Sequence, residues 1–488
     1  MKLFYLKGSL IQLSLLFVVL IISIPSSGQA QSTFQPYSYH FYQKLNRVQY
    51  SWDTRQHTAV KPLIIDTVMQ PLYDSVMNSG IKDRSTWVGR KIWNEHLIDV
   101  QGDDFVFYAD FIPDFQVGRD FVGSGKSTWL NTRGFQAGGS ISNKFFFYTS
   151  GYENQGVFAD YINDFINERR VVPGQMYGKL GAKEQDWTYV SAIVSYSPAN
   201  HLNFTLAYDK NFIGDGYRSM LLSDISSNHT SFKFNGTFGD INISSIWSYM
   251  LEPQERINDD FRRSGSQRKW GAFQYADWNV NNRFSVGLFH SLLWGSRKLE
   301  QGSDSKEAMQ VGLNSKYKLL RNTTVYGQVL LNEDMAGQIG FRGFDAFGIK
   351  ELNFLGEYNF ANPDSYSNED LLTSYTNYSQ SLAHPFGADF REFVGILNYS
   401  YSKFDFSLQG NYGNYRKNEV NDAAIGQEIK TDLMYLDGRV SYVFNPKYNL
   451  RFEVGGVARR ESNDLGNRNT AMLTLGLRAS FRNLYYDF

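Results

Sequence analysis

The chain has 488 residues, a formal net charge of −1 and no cysteine, which excludes disulfides, thiolate metal sites and lipid attachment through cysteine and gives no sign of a nucleic-acid partner. Phe, Tyr and Trp number 38, 32 and 9 against only 11 Pro, yet mean hydropathy is −0.40. Beyond the first segment no apolar run approaches the ~20 residues of a membrane-spanning helix, so a helical membrane protein is excluded too.

In chain order, Lys2 and Lys7 precede an apolar run from Leu13 to Ile24 that ends in Gly28-Gln29-Ala30; this tripartite pattern predicts a signal peptide over 1–30. Residues 31–100 lack strand alternation. Pro71 is placed to open a helix carrying Leu72 and Val76, with Gly80 as its stop, and a second helix is expected over Trp87 to Ile98. This predicts a small, partly helical periplasmic element packed beneath or into the remainder of the chain. Gly123-Ser124-Gly125-Lys126-Ser127-Thr128 lacks the leading glycine of a phosphate-binding loop, because that position is Asp120; a polar turn is expected.

From 101 to 488 the chain alternates with period two. Met309, Val311, Leu313, Tyr317 and Leu319 share one face, and Gln310, Gly312, Asn314, Lys316 and Lys318 the other. Phe232, Phe234 and Phe238 repeat the pattern, as do Tyr448, Leu450, Phe452 and Val454, and finally Leu473, Leu475, Leu477, Ala479 and Phe481. Apolar residues at every second position, with aromatic ends, suit a wall facing lipid outside and a lumen inside. Since unpaired backbone groups are not tolerated in hydrocarbon, such a sheet must close. The expectation is an all-β chain, a closed antiparallel transmembrane β-barrel of roughly 16 to 18 strands, in contact with the outer-membrane bilayer. An Arg at Leu313 or Phe452 should be costly and one at Asn314 nearly silent. The last strand, running out to Phe488, is the expected signal to the barrel assembly machinery.

One stretch breaks the alternation: Asp209 to Asp224, with Asp209, Asp215, Arg218 and Asp224 around the turn residues Gly214 and Gly216. Charges this dense cannot face lipid. They are expected inside the barrel, constricting the lumen or binding a ligand, with Arg218 taking Asp215 or Asp224 bidentately. His229 and His384 stand in no recognisable catalytic context; no catalytic, metal or cofactor site is expected.

Gly214-Asp215-Gly216 followed by Ser219-Met220-Leu221-Leu222-Ser223 resembles the Wzi family of capsule-assembly outer-membrane proteins, whose comparable stretch joins Gly-Pro-Gly to a Ser-Leu-Ile-Leu-Ser-like strand. Asp215 replaces the proline, and Phe212-Ile213 the expected tryptophans. Leu382 to Glu392, with His384 and Pro385, and the stretches Arg90 to Leu97 and Asp114 to Asp120 agree. The text Phe-Ile-Gly-Asp-Gly-Tyr-Arg-Ser looks more like the Bacteroidota branch, which includes a gliding-motility protein. The resemblance implies an 18-stranded barrel with a helical periplasmic element, and a role with surface polysaccharide, adhesion or gliding. The rival reading is a substrate-selective diffusion channel lined by Lys316, Lys318, Arg451, Glu453, Arg478 and Arg482.

Overall fold

The structure is a computed structural model that describes residues 33–176, 179–180, 184–252, 267–295, 307–366, 372–421 and 424–488. The expected signal peptide lies outside the described residues. Residues from Phe105 onward form a closed barrel of 18 antiparallel wall strands. The first, β1, is Phe105–Phe111 continued past Ile112-Pro113 as Asp114–Asp120. There follow β2 (Ser127–Ile141), β3 (Phe145–Val157), β4 (Gln185–Ala199), β5 (Leu202–Asp209), β6 (His229–Phe238), β7 (Ile241–Glu252), β8 (Gln267–Asn279) and β9 (Phe284–Gly295). The second half is β10 (Glu307–Leu320), β11 (Thr323–Leu331), β12 (Met335–Gly343), β13 (Leu352–Ala361), β14 (Phe390–Tyr401), β15 (Phe404–Asn421), β16 (Ala424–Asn445), β17 (Leu450–Asn463) and β18 (Gly466–Ala479).

Each strand pairs with its neighbours in sequence, and closure comes from β18 against β1, with Met472 opposite Asp120 and Arg478 opposite Asp114. Below the end of β18, the strand Ile98–Gln101 pairs with β1 and covers the edge left open there. One end of the barrel carries short connections, such as 200–201, 239–240, 321–322 and 402–403; the other carries longer ones, such as 158–184, 210–228 and 362–389.

Alternation has the expected outcome in β10, where Leu313 is 52% exposed and Asn314 only 2%. The exposed apolar residues of successive strands form a continuous outer belt, as on outer-membrane barrels. The inner face is not uniformly polar. Ile246, Met250, Phe273, Phe289, Leu293 and Leu330 point inward and build a dry core with Met220, Leu221 and Leu222. Two strand assignments are corrected. β18 stops at Ala479, and Phe481 turns under the barrel onto Phe41, ring centroids 5.3 Å apart. Tyr448 and Leu450, expected exposed on the outer face, are buried in a cluster with Ile112 and Ala479, and Tyr448 Oη donates to Lys91 O at 3.2 Å.

The N-terminal element both enters and underlies the barrel. Helix α1 (Tyr39–Gln43) and helix α2 (Asn46–Gln49) sit in the lumen, where Tyr50 and Thr58 are fully buried. Helix α3 (Gln70–Met77) has Pro71 in its first turn and buries Tyr73 and Met77. Helix α4 covers only Trp87–Trp93, shorter than expected, because Ile98 already belongs to the edge strand. The turn reading of 123–128 holds: Asp120 Oδ1 accepts from the backbone N–H groups of Val122 and Gly123 at 3.1 and 3.2 Å, and Ser127 opens a strand, not a helix.

Candidate functional site: a locked lumen

After β5 the chain leaves the wall and folds inward. Phe212–Ile213 pairs with Val60–Lys61 of the N-terminal element, so two inserted segments share a small sheet. The backbone must then pass close to the wall. A Cβ at Gly216 would overlap the Glu357 carboxylate and one at Gly214 would lie 2.6 Å from Gln328 Nε2, so a side chain at either position would have to push that wall side chain out of its hydrogen bonds to the inserted segment. Glu357 instead accepts from the N–H groups of Tyr217 (2.7 Å) and Arg218 (3.2 Å), and Gln328 from that of Met220 (2.8 Å). Ser219 Oγ donates to Ile213 O at 2.5 Å and accepts from the Leu221 and Leu222 N–H groups.

Arg218 is 1% exposed and does not pair with Asp215 or Asp224; that expectation is corrected. Its Nε and Nη2 take the two oxygens of Glu392 at 3.2 and 3.0 Å, and Nη2 also reaches Asp487 Oδ2 at 2.9 Å. The physical reason is reach. Asp215 already accepts from Tyr50, Thr58 and Asn314, while Asp224 accepts from Asn483 (2.7 Å) and Tyr485 (2.8 Å). Each carboxylate is held by a different side of the lumen.

Burial alone pushes the Asp215 carboxyl up, but the ammonium groups of Lys316 and Lys61 and hydrogen bonds from Thr58 and Asn314 more than offset it, leaving it at about 2. Arg342 fixes the same turn from its backbone side, donating to Asp215 O at 2.5 Å, to Tyr50 Oη at 3.0 Å and to Asn46 Oδ1 at 2.7 Å. Asn314 bonds both Asp215 and Tyr275, so an Arg there is expected to disturb the plug and not to be silent.

His384 lies in a turn, His384-Pro385-Phe386-Gly387, closed by Gly387 N–H to His384 O at 2.9 Å, with proline and glycine in positions that suit their backbone preferences. Its Nε2 is 2.6 Å from Glu392 Oε2, its Nδ1 accepts from Phe386 N–H, and its ring stacks on Phe390 at 3.9 Å. Burial holds its pKa below the usual histidine range, so at neutral pH it serves as a hydrogen-bond donor to Glu392. Ser223 N–H donates to Leu382 O at 2.7 Å, joining the two family-like stretches. Asp209 stands apart at the end of β5, on a separate small cavity with Lys210 and Asp224.

Alternation marks Glu357, Glu392, Arg342 and Gln328 as inward-facing, but nothing in the sequence singled them out as partners. Asp487 was missed outright. Residues 480–488 turn into the lumen, so Phe488 caps no strand; its ring packs on Phe165 of helix α5 (Asp160–Arg169) at 4.6 Å. The lysines of the channel reading are also committed. Lys316 Nζ donates to Thr58 Oγ1 (2.6 Å) and Lys318 Nζ to Ser51 O and Thr54 O (both 2.6 Å). Arg451 and Arg478 share Glu453 at 3.0 and 2.6 Å. A cavity of about 170 Å³ lies between this plug and the wall formed by β15–β18, β1 and β2, lined by Tyr217, Gln409, Tyr435, Asp437, Arg439 and Tyr485 among others.

The sequence matches no protein-family model and no curated protein. Among solved structures, the chain is similar to Wzi, an outer-membrane protein involved in group 1 capsule assembly in Escherichia coli and a carbohydrate-binding β-barrel, with 13% identity over 93% of this chain and 100% of that one and a TM-score of 0.56. OprD of Pseudomonas aeruginosa aligns at 10% identity over 80% of this chain and 100% of that one, with a TM-score of 0.44. The closed wall, its apolar belt and the fold shared with Wzi make this chain a closed 18-stranded antiparallel β-barrel of the outer-membrane type.

Proposed function

We propose that this barrel binds and anchors surface polysaccharide at the outer membrane without catalysing a reaction, and that its lumen is a scaffold and not a solute path. The observation that carries the reading is the lock across the lumen, in which Arg218 joins the inserted segment to Glu392 of the wall and to Asp487 of the returning tail. The carbohydrate-binding property stated for Wzi supports the ligand class, as does the cavity beside β15–β18, whose tyrosine rings and amide, carboxylate and guanidinium groups suit the CH faces and hydroxyls of sugars. The finer assignment is to the branch that includes the gliding-motility protein RemB, with a part in adhesion and spreading. The short connections face the periplasm, as on other outer-membrane barrels, which puts helix α3 there; β18, with Leu473, Leu475 and Leu477 outward, is the strand offered to the assembly machinery. The test pairs two measurements. In planar bilayers the protein should pass no steady current, and a deletion strain should lose surface polysaccharide or spreading on agar. Steady open steps would favour the selective channel, and a deletion strain that keeps both traits would end the polysaccharide reading.

A further inference from the structure

Helix α4 lies outside the barrel. Trp93 packs edge-on against Tyr442 and Phe444, at 6.3 and 5.1 Å between centroids, and these belong to the outward set of β16 that continues as Val440, Leu436 and Met434, all exposed. Asn445 at the short-connection rim donates to Lys91 O and Glu95 O at 3.0 and 2.8 Å, fixing the helix end to the wall. No residue of α4 is buried: Trp87 is 57% and Val88 56% exposed, and Ile92 is exposed beside them.

At helical spacing Val88, Ile92, Gly89 and Trp93 form one arc and Arg90, Trp87 and Lys91 the other. With Trp93 against the wall, Val88 and Ile92 extend the wall's apolar belt sideways. Basic groups ring the same place: Lys82, Arg84, Arg90 and Lys91 on this segment, Lys403 (5.0 Å from the Trp93 ring) and Lys447 on the neighbouring turns. The acidic groups facing them are Asp83, Glu95, Asp99 and Asp74, fewer than the six basic ones; Glu95 pairs with Arg90 and Lys91, and Asp99 and Asp74 face Lys447. At the same rim, in the connection between β12 and β13, Phe347 is 96% exposed and held at φ +55°, with exposed Ile349 two residues on. A non-glycine residue in that conformation is costly, and the ring meets no partner within the chain among the aromatic contacts of the described residues.

We infer that α4, aided by Phe347, is an in-plane anchor seated in the phospholipid headgroup layer at the short-connection rim. An amphipathic helix with a narrow apolar arc, an interfacial tryptophan and flanking basic groups has the composition that lies in this layer. Continuity with the lipid-facing belt selects lipid over a protein partner, and the excess of basic groups selects phospholipid phosphates. The inference rests on the barrel being in a membrane and is independent of polysaccharide binding.

The absence of native cysteine makes single nitroxide labels unambiguous. Full-length Val88→Cys, Ile92→Cys and Phe347→Cys proteins, labelled and refolded into phosphatidylethanolamine–phosphatidylglycerol vesicles, are read by power saturation against oxygen and a water-soluble nickel chelate, with Asp464→Cys as an aqueous reference on the opposite rim. Heat-modifiable migration on gels confirms that each barrel is folded. The expected result is that all three sites relax with oxygen and lose accessibility to nickel relative to the reference. Nickel accessibility equal to the reference at Val88 and Ile92 in the folded barrel overturns the anchor.

Discussion

The wall and the plug are stabilised in opposite ways. Each wall strand is paired to its sequence neighbours, so the barrel is specified many times over by one repeated pattern. The plug is held by individual contacts between residues distant in sequence, none of them repeated: Arg218 is 174 positions from Glu392 and 269 from Asp487. The difference teaches that the two should fail separately. Loss of one buried charge is expected to loosen the plug while the wall stays closed.

The largest expected effect tests that separation directly. Arg218→Ala leaves Glu392 and Asp487 buried without their cation, and breaking such a pair costs about 3–5 kcal/mol. The expected outcome is a larger current across planar bilayers than the parent passes, with the heat-modifiable barrel intact. If the wall melts together with the plug, the comparison breaks. Leu313→Arg probes the other side, since a cation on the lipid face costs about 2–4 kcal/mol at the midplane. It should lower barrel stability in urea titrations without opening the lumen. Asn314→Arg, one residue on, should do the reverse, because it strips a hydrogen bond from Asp215. Gly216→Ala drives a methyl into the Glu357 carboxylate, an overpacking of about 1–3 kcal/mol; limited proteolysis within 210–228 should become faster.

These contrasts also show what the sequence could reveal. Alternation is a local property, so Leu313 outward and Lys316 inward were legible, as were the closed barrel and the inward fold of the segment around Gly214 and Gly216. Pairing within a plug is not local. Nothing near Arg218 indicates that its carboxylates come from β14 and from the tail, and the nearer Asp215 and Asp224 were the natural but wrong choices. The tail misled for a related reason. Leu473 to Phe481 continues the alternation past Ala479, and only the packing of Phe481 on Phe41 shows where the wall ends. Helix α3 was readable from Pro71, whereas α4 ends early because Ile98 finds an open edge on β1, a tertiary fact.

The smallest effect concerns acid. Asp215 is held at about 2 against its ordinary 3.8, so its carboxylate binds fewer protons in the folded chain than in the unfolded one. Its contribution is therefore complete above 3.8 and is lost as pH falls toward about 2. The groups that hold it are Lys316 and Lys61, with Tyr50, Thr58 and Asn314 as donors, and Arg342 fixes its backbone. Protonation removes the attraction to both ammonium groups and turns an acceptor into a competing donor. The expected outcome is that the parent passes more current within that window than at neutral pH, reversibly and with the barrel still heat-modifiable. Asp215→Asn keeps the shape but not the charge, so it should weaken the lock at neutral pH and flatten the acid response. An Asn variant with the parent's acid onset would show that another group governs the opening, and that the Asp215 turn is held by packing and Arg342 alone.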